Sequence, residues 1–350
     1  MYYPFKFRPI YKDYIWGGRY FEKLGRKLPE GLVAESWEVS CHKNGLSVVA
    51  NGEFAGRTLT ELIESDPVNI VGLNFPSRCK EIPILIKLID ANDKLSVQVH
   101  PDDNYAAVFE NSLGKNEMWY IIDTKPGAKL VVGLKKDVTR EKFLRAVKEN
   151  HLEECLLQVE VMPGDVINIP AGTIHSIGEG IVIAEIQQTS DITYRLFDYN
   201  RVDRNGVGRQ LHLDKAIDVI NFKNENRNIK CEGVKVKVNE ACSKTVFVAN
   251  RYFACERYEL SGEVVEKCDG SKFYIYIFVE GNGVIKAEKA NVKVNAGETV
   301  YLPAALGEYS VSGKLKALKA YIPDLISDIV NPMRNAGCAN SQIYKLLTLS

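Results

Sequence analysis

Pro163-Gly164-Asp165-Val166-Ile167-Asn168-Ile169-Pro170-Ala171 is echoed by Ala296-Gly297-Glu298-Thr299-Val300-Tyr301-Leu302-Pro303-Ala304. Each copy reads as a glycine turn, a short strand and a Pro-Ala stop, since proline cannot continue a ladder. Two such copies predict a duplicated β-sandwich. Aligned on this echo, His175 falls opposite Glu308, and residues 268–284 hold no counterpart of Gln98-Val99-His100. The second copy is therefore expected to keep the scaffold and to lack the metal set described below.

The flanking sequence is mostly strand-like. Pro83 to Ile89, Leu95 to His100, Glu117 to Ile122, Lys129 to Val132, Val166 to Ile169 and Gly180 to Ile186 are apolar runs. Gly, Pro, Asn and Asp turns separate them. Helices are expected at three places. Thr58-Leu59-Thr60-Glu61 has the form of a capping box, with Leu62 and Ile63 as a buried stripe. Asp137 to about Leu157 carries Phe143, Leu144 and Val147 at helical spacing, and Leu213 to Phe222 carries Ile217 and Ile220 on one face. The polar stretch 223–228 marks a boundary, which divides the chain into 1–235, 236–323 and a tail of 324–350. The tail carries no strong signal.

Composition excludes several classes. Lys+Arg and Asp+Glu balance at 45 each, so no global field draws the chain to nucleic acid or an anionic membrane. No apolar run approaches the ~20 residues needed to span a bilayer. Met1 to Lys6 lacks the features of a signal peptide. The eight cysteines are scattered without a C-x-x-C pair, which argues against a disulfide framework. A reduced, cytoplasmic protein is expected.

Strand alternation puts Gln98 and His100 on one face. Glu117 and His175 add a carboxylate and a second imidazole. This mixed N/O set suits a borderline divalent ion, zinc first, with manganese, iron or cobalt behind it.

Ser96-Val97-Gln98-Val99-His100-Pro101-Asp102-Asp103, Gly114-Lys115-Asn116-Glu117, Ile169 to His175 and Ser190-Asp191-Ile192-Thr193-Tyr194-Arg195 resemble, in order and spacing, the signatures of type I mannose-6-phosphate isomerases. Trp16-Gly17-Gly18 and Glu35-Ser36-Trp37-Glu38 fit the same pattern. The resemblance is to the short bacterial subclass of this cupin family and covers roughly residues 5 to 322. It implies a mainly β fold of two cupin-type jelly-roll sandwiches with a few inserted helices, the first catalytic and the second without ligands. It implies one Zn²⁺ per chain on Gln98, His100, Glu117 and His175, a hexose 6-phosphate substrate, and active-site roles for Lys115, Arg195, Glu185 and Asp191. One departure stands out: many members have Pro-His-Ala-Tyr where this chain has Ile174-His175-Ser176-Ile177.

Interconverting mannose 6-phosphate and fructose 6-phosphate moves a proton between C1 and C2 and shifts a carbonyl. A divalent ion stabilises the negative charge of the enediolate, and a base carries the proton. Lys115, two residues from Glu117, and Glu185, on a strand after His175, compete for that role. Arg195 is a candidate for the phosphate or the enediolate. Ser96 and Arg201 are candidates for phosphate contact, and Tyr194 and Trp119 read as packing residues. The rival readings are an isomerase of another phosphosugar and a non-catalytic cupin that binds sugar or metal. Lys115 and Arg195 beside a full ligand set favour catalysis.

Overall fold

The computed structural model describes residues 2–75, 81–202, 206–223 and 229–347. Part of the expected boundary stretch, 224–228, lies outside the described residues, as does Cys79. The seven other cysteines are unpaired. Among the described residues, no helix is long and apolar enough to cross a membrane.

The first unit is a sandwich of two antiparallel sheets. One holds, in spatial order, Ile10–Lys12, Glu35–Val39, Ile84–Ala91, Ile181–Gln188, Glu117–Thr124 and Val166–Ile169. The other holds Tyr194–Phe197, Val97–Val99, His175–Ser176, Lys129–Leu134 and Leu156–Glu160. The Ile181–Gln188 strand is buried on both faces, which is why it reads as a nearly unbroken apolar run. Ile181 and Ile183 face the core between the two sheets, with Ile89, Trp119 and Ile121. Val182, Ala184 and Ile186 face the opposite way, onto Phe5, Ile275, Ile277, Tyr301 and Leu318. That second layer joins the first unit to the second. Glu185 falls on the inner face by the same alternation, which directs a charged residue between the sheets.

The second unit is one eight-stranded sheet wrapped around its own apolar core. Three of its strands, Ala254–Cys268, Tyr274–Ala287 and Gly307–Tyr321, run 14 or 15 residues. It begins at Val234–Asn239, and Phe5–Lys6 crosses over to pair with Thr299–Leu302. The tail folds back as helical segments at Leu325–Val330, Asn331–Asn335 and Asn340–Leu346. Ile329, Met333, Ile343 and Leu346 pack there on Val234, Val246 and Ala249.

Two helix expectations need correction. The long helix is only Arg140–Lys148, capped by the Thr139 side chain. Asn150 then takes a left-handed φ of 60°, and the chain continues through a turn at Leu152–Cys155 into the Leu156–Glu160 strand. Phe143 is buried but Leu144 is 37% exposed, so the buried stripe pairs Phe143 with Ala146 instead. The third helix is Leu213–Val219 and stops short of Phe222. The Thr58–Glu61 capping box forms as expected. Pro101 does end its strand, but Asp102 then caps a helix, Asp103–Phe109, absent from the sequence reading.

The echo is also an echo of pairing. Val166–Ile169 lies beside Glu117–Tyr120, and Thr299–Leu302 lies beside Tyr274–Ile277. Ile169 faces Glu117 where Leu302 faces Tyr274, so an aromatic ring stands at the carboxylate's place. Trp119–Glu185–Lys87 form one rung of the first unit, and Tyr276–Lys319–Glu256 form the matching rung of the second. The charges are exchanged. Lys319, which is buried, is neutralised by the half-buried Glu266, whose Oε2 accepts from Lys319 Nζ, Tyr276 and Tyr309, each at 2.7 Å, and whose Oε1 accepts from Tyr258 at 2.6 Å.

Burial would raise the Glu266 pKa, but the Lys319 ammonium and the tyrosine hydroxyls outweigh it and hold it down at about 2. A carboxylate depressed on folding stabilises the folded state above its ordinary value of 4.5 and loses that contribution as pH falls through about 2. Glu266→Gln should therefore cost about 3–5 kcal/mol near neutrality, because it leaves Lys319 buried without its partner. In urea titrations the gap to the wild type should shrink below pH 4.5. A gap constant from pH 7 to pH 3 would count against this role.

Candidate active site

Each sheet of the first unit contributes to one cavity of about 320 Å³. The six-stranded sheet supplies Glu35, Lys87 and Glu185, and Glu117 lies behind them at its strand's first position. The five-stranded sheet supplies Gln98 and Arg195, and His175 lies behind them, fully buried. Register brings them together: His175 pairs with Gln98, which pairs on its other side with Arg195. His100 follows directly on the Gln98 strand.

His100, Glu117 and His175 are buried, with ligand atoms all within 4.8 Å of one another. His100 Nε2 lies 3.2 Å from Glu117 Oε1, and His175 Nε2 lies 3.7 Å from Oε2. The Gln98 amide end is 3.3 Å from His175 Nε2, and turning the amide presents its oxygen to the same point. Ligand atoms around a tetrahedral ion with bonds of about 2.0–2.1 Å sit about 3.3–3.5 Å apart, so the set fits such an ion. Hydrogen bonding agrees. His100 Nδ1 meets the Ile192 carbonyl at 2.7 Å and His175 Nδ1 the Thr173 carbonyl at 2.9 Å. Each ring thus turns the lone pair of Nε2 inward, toward the Glu117 carboxylate. Neither Glu117 oxygen accepts a well-formed hydrogen bond among the described residues, although Lys115 Nζ approaches Oε1 to 2.8 Å. A buried carboxylate left so is costly unless a cation completes it.

The electrostatics keep these groups in ligand form. Burial, helped by the Lys115 charge, pushes the His100 pKa down to about 3. Burial lowers His175 as well. Burial would raise Glu117, but Lys115 and the two imidazoles outweigh it and hold it well below the usual carboxylate range.

Glu185 behaves differently. Burial and the neighbouring Glu117 charge raise its pKa to about 7, against the pull of Lys87. Its Oε2 accepts from Trp119 Nε1 at 2.9 Å, and Lys87 Nζ lies 3.6 Å from Oε1. Lys87 also sits 3.5 Å from Glu35 Oε2, which Trp37 Nε1 holds at 2.7 Å. Burial opposes the Lys87 charge, but Glu35 and Glu185 reverse that and raise its pKa. Trp119 therefore orients a carboxylate as well as packing. Tyr194 is a packing residue whose hydroxyl donates to Glu110.

Lys115, Glu185, Asp191, Arg195, Ser96 and Gln98 all line the cavity. Asp191 accepts from Asn44 at 2.9 Å, and Arg195 Nε donates to Ser96 Oγ at 3.2 Å. Arg201 is the correction: it does not line the cavity. Its guanidinium is 2.6 Å from Asp198 and 3.3 Å from Asp93. Arg209 shares Asp198, at 2.5 Å, and reaches the cavity instead. Sequence reading missed Arg209, Lys87 and Tyr14, and it quoted Trp16 and Glu35 only as part of the family pattern, without a role at the site. Lys87 carried a signal, a lone charge inside an apolar strand. Ile177 stands in the wall of the cavity.

Two family models match the chain: phosphomannose isomerase type I, catalytic domain, over residues 4–126, and mannose-6-phosphate isomerase, cupin domain, over 243–322. The mannose-6-phosphate isomerase ManA of Bacillus subtilis is 36% identical over 91% of this chain and 99% of its own length. The mannose-6-phosphate isomerase of Streptococcus mutans is 34% identical over 88% of this chain and 94% of its own. The crystal structure of the Bacillus subtilis mannose 6-phosphate isomerase superposes with a TM-score of 0.82 at 31% identity, covering 91% of this chain and 99% of that one. With two cupin-type sandwiches and a buried His-Glu-His centre in the first, the chain belongs to the type I mannose-6-phosphate isomerase family.

Proposed function

We propose that the cavity interconverts mannose 6-phosphate and fructose 6-phosphate, with zinc held by Gln98, His100, Glu117 and His175. The observation that carries this reading is the buried cluster of His100, Glu117 and His175 ligand atoms, all within 4.8 Å of one another, beside a cavity lined by Lys115, Glu185 and two arginines. A bound divalent ion supplies a Lewis acid for the negative charge that develops on the sugar oxygen. The chain's own residues do the rest. Lys115 or Glu185 takes and returns the proton shared between C1 and C2. Arg195, Arg209 and Ser96 hold the phosphate, the guanidiniums by paired N–H donors. Asp191 stands across the cavity as a further polar contact for sugar hydroxyls. Catalysis belongs to residues 1–235, the second cupin to 236–323, and the helical tail to 324–350. Unpaired cysteines and a phosphorylated substrate fit a cytoplasmic enzyme.

A coupled assay with several hexose 6-phosphates, together with metal analysis, tests the reading. About one divalent ion per chain and preferential turnover of mannose 6-phosphate are expected. A metal-free preparation that stays fully active would overturn it. Arg195→Ala should keep the metal and the fold, because Arg195 bonds to Ser96 and the Gln210 carbonyl rather than to the ligands. It should lose about 10–100-fold in kcat/KM, the worth of about 1.5–3 kcal/mol for a charge-assisted bond. Near-normal kcat/KM would make Arg195 structural.

A further inference from the structure

The second unit holds no His/Glu cluster among the described residues, yet it touches the loop that bears two residues of the site. Its turn at 250–253 joins the strands Cys242–Ala249 and Ala254–Cys268. Asn250 Oδ1 stiffens that turn by accepting from the Tyr252 and Phe253 N–H groups at 2.8 and 2.9 Å. The Tyr252 hydroxyl donates to Asp103 Oδ2 at 2.8 Å, and Arg251 approaches the same oxygen at 3.3 Å. The other Asp103 oxygen accepts from Gly114 N at 3.0 Å and from Gln188 Nε2 at 2.9 Å. Gln188 Oε1 accepts from Asn116 N at 3.0 Å and Asn116 Nδ2 at 2.7 Å. Asn116 Oδ1 accepts from Ala171 N at 3.0 Å. Asn116 stands between Lys115 and Glu117, and Ala171 opens the turn that leads to His175.

We propose that Tyr252, Asp103, Gln188 and Asn116 form a positioning relay through which the second unit sets the geometry of Lys115 and Glu117. The inference rests on the functional reading above, which places those two side chains in the active centre. Asn116 and Gln188 are 4% and 2% exposed, and both side-chain polar atoms of each are used. Such groups hold one geometry, because any shift leaves a buried donor or acceptor unpaired. The loop is pressed close as well: a Cβ on Gly114 would meet the Asp102 carbonyl carbon at 2.5 Å. Docking of the two units does not need these bonds. The layer of Phe5, Ile86, Ile186, Ile275, Tyr301 and Leu318 already joins them over an apolar face. The relay adds orientation where the 250–253 turn meets the loop that bears Lys115 and Glu117.

The test compares metal-loaded wild type with Asp103→Ala, Asp103→Asn, Asn116→Ala and Tyr252→Phe. Thermal midpoint, kcat, KM for mannose 6-phosphate and the rate of metal loss to a chelator are measured for each. Partners that orient a ligand are worth about 10–100-fold in activity or metal affinity. Asp103→Ala and Asn116→Ala should lower kcat and hasten metal loss by that factor, with KM nearly unchanged. Asp103→Asn should restore both, since its amide oxygen still accepts from Gly114 and Gln188. Tyr252→Phe, which removes one oxygen, should fall between. Wild-type kcat and metal loss in folded Asp103→Ala, or equal damage from Asp103→Asn, would overturn the relay. If Asp103→Ala does not fold, Tyr252→Phe decides, and wild-type behaviour there overturns it. A metal-loaded wild type that turns over no mannose 6-phosphate, or a wild type that binds no divalent ion at all, would instead overturn the functional reading beneath it.

Discussion

His175→Ala is expected to remove the bound metal and the isomerase activity together. His175 is 0% exposed, and its Nε2 is one of three ligand atoms within 4.8 Å of one another. Alanine leaves a gap that no neighbouring described side chain is placed to fill, because the His100 and Glu117 ligand atoms are already committed. A Lewis acid is worth several kcal/mol to a reaction that builds charge on oxygen, and each 1.36 kcal/mol is tenfold. Turnover should fall by about 10³-fold or more on that basis. His100→Ala should behave alike. The fold should persist, since each ring is held by a backbone carbonyl and the sheets close over the apolar layers. Metal analysis of the folded variants beside their steady-state rates checks this. Stoichiometric metal in a folded double variant of these histidines would sink the assignment.

The second large effect concerns the proton. Replacing the true base should cost about 10²–10⁴-fold in rate while metal content stays intact. Lys115→Met and Glu185→Gln are the two variants to compare. Lys115 Nζ lies 2.8 Å from Glu117 and 3.3 Å from His100, so its ammonium is held among the ligands. Glu185 has one oxygen bound by Trp119, while the other makes no hydrogen bond among the described residues and has the Lys87 ammonium 3.6 Å away. Its pKa, raised to about 7 by burial and by Glu117, suits a group that must both take and give a proton near neutrality. A base works when deprotonated, so activity should decline as pH falls. A divalent ion beside Glu117 pulls the Glu185 value down, which puts the limb between about 7 and the ordinary 4.5. If Glu185 is the base, Glu185→Gln loses that limb along with the rate, and solvent-isotope incorporation at the sugar carbon falls in step. If both variants keep full turnover and exchange, the proton is carried elsewhere, and Asp191 is the next residue to replace.

What could be read from the chain alone was whatever lies close in sequence. Alternation put Gln98 and His100 on one side, two-residue spacing brought Lys115 to Glu117, and the capping box at Thr58 formed where its four residues predict it. The Pro-Gly-Asp and Ala-Gly-Glu echo marked two β units because a turn, a strand and a proline stop are local events. The same locality misled over 137–157, where an apolar stripe ran across Asn150 from a helix into a strand. Family resemblance then named residues that spacing alone left as ordinary polar ones. Tertiary structure decided the rest, because strand register joins residues that no sequence window contains. The Lys87–Glu185–Trp119 rung and the Glu35 carboxylate beside it follow from which strands are neighbours, and the choice of Arg209 over Arg201 at the cavity follows from how the loop after Tyr194–Phe197 folds around Asp198. The exchange of charges in the second unit's matching rung has the same origin. An ion pair is fixed by distance in space, and only the closed sheets set that distance.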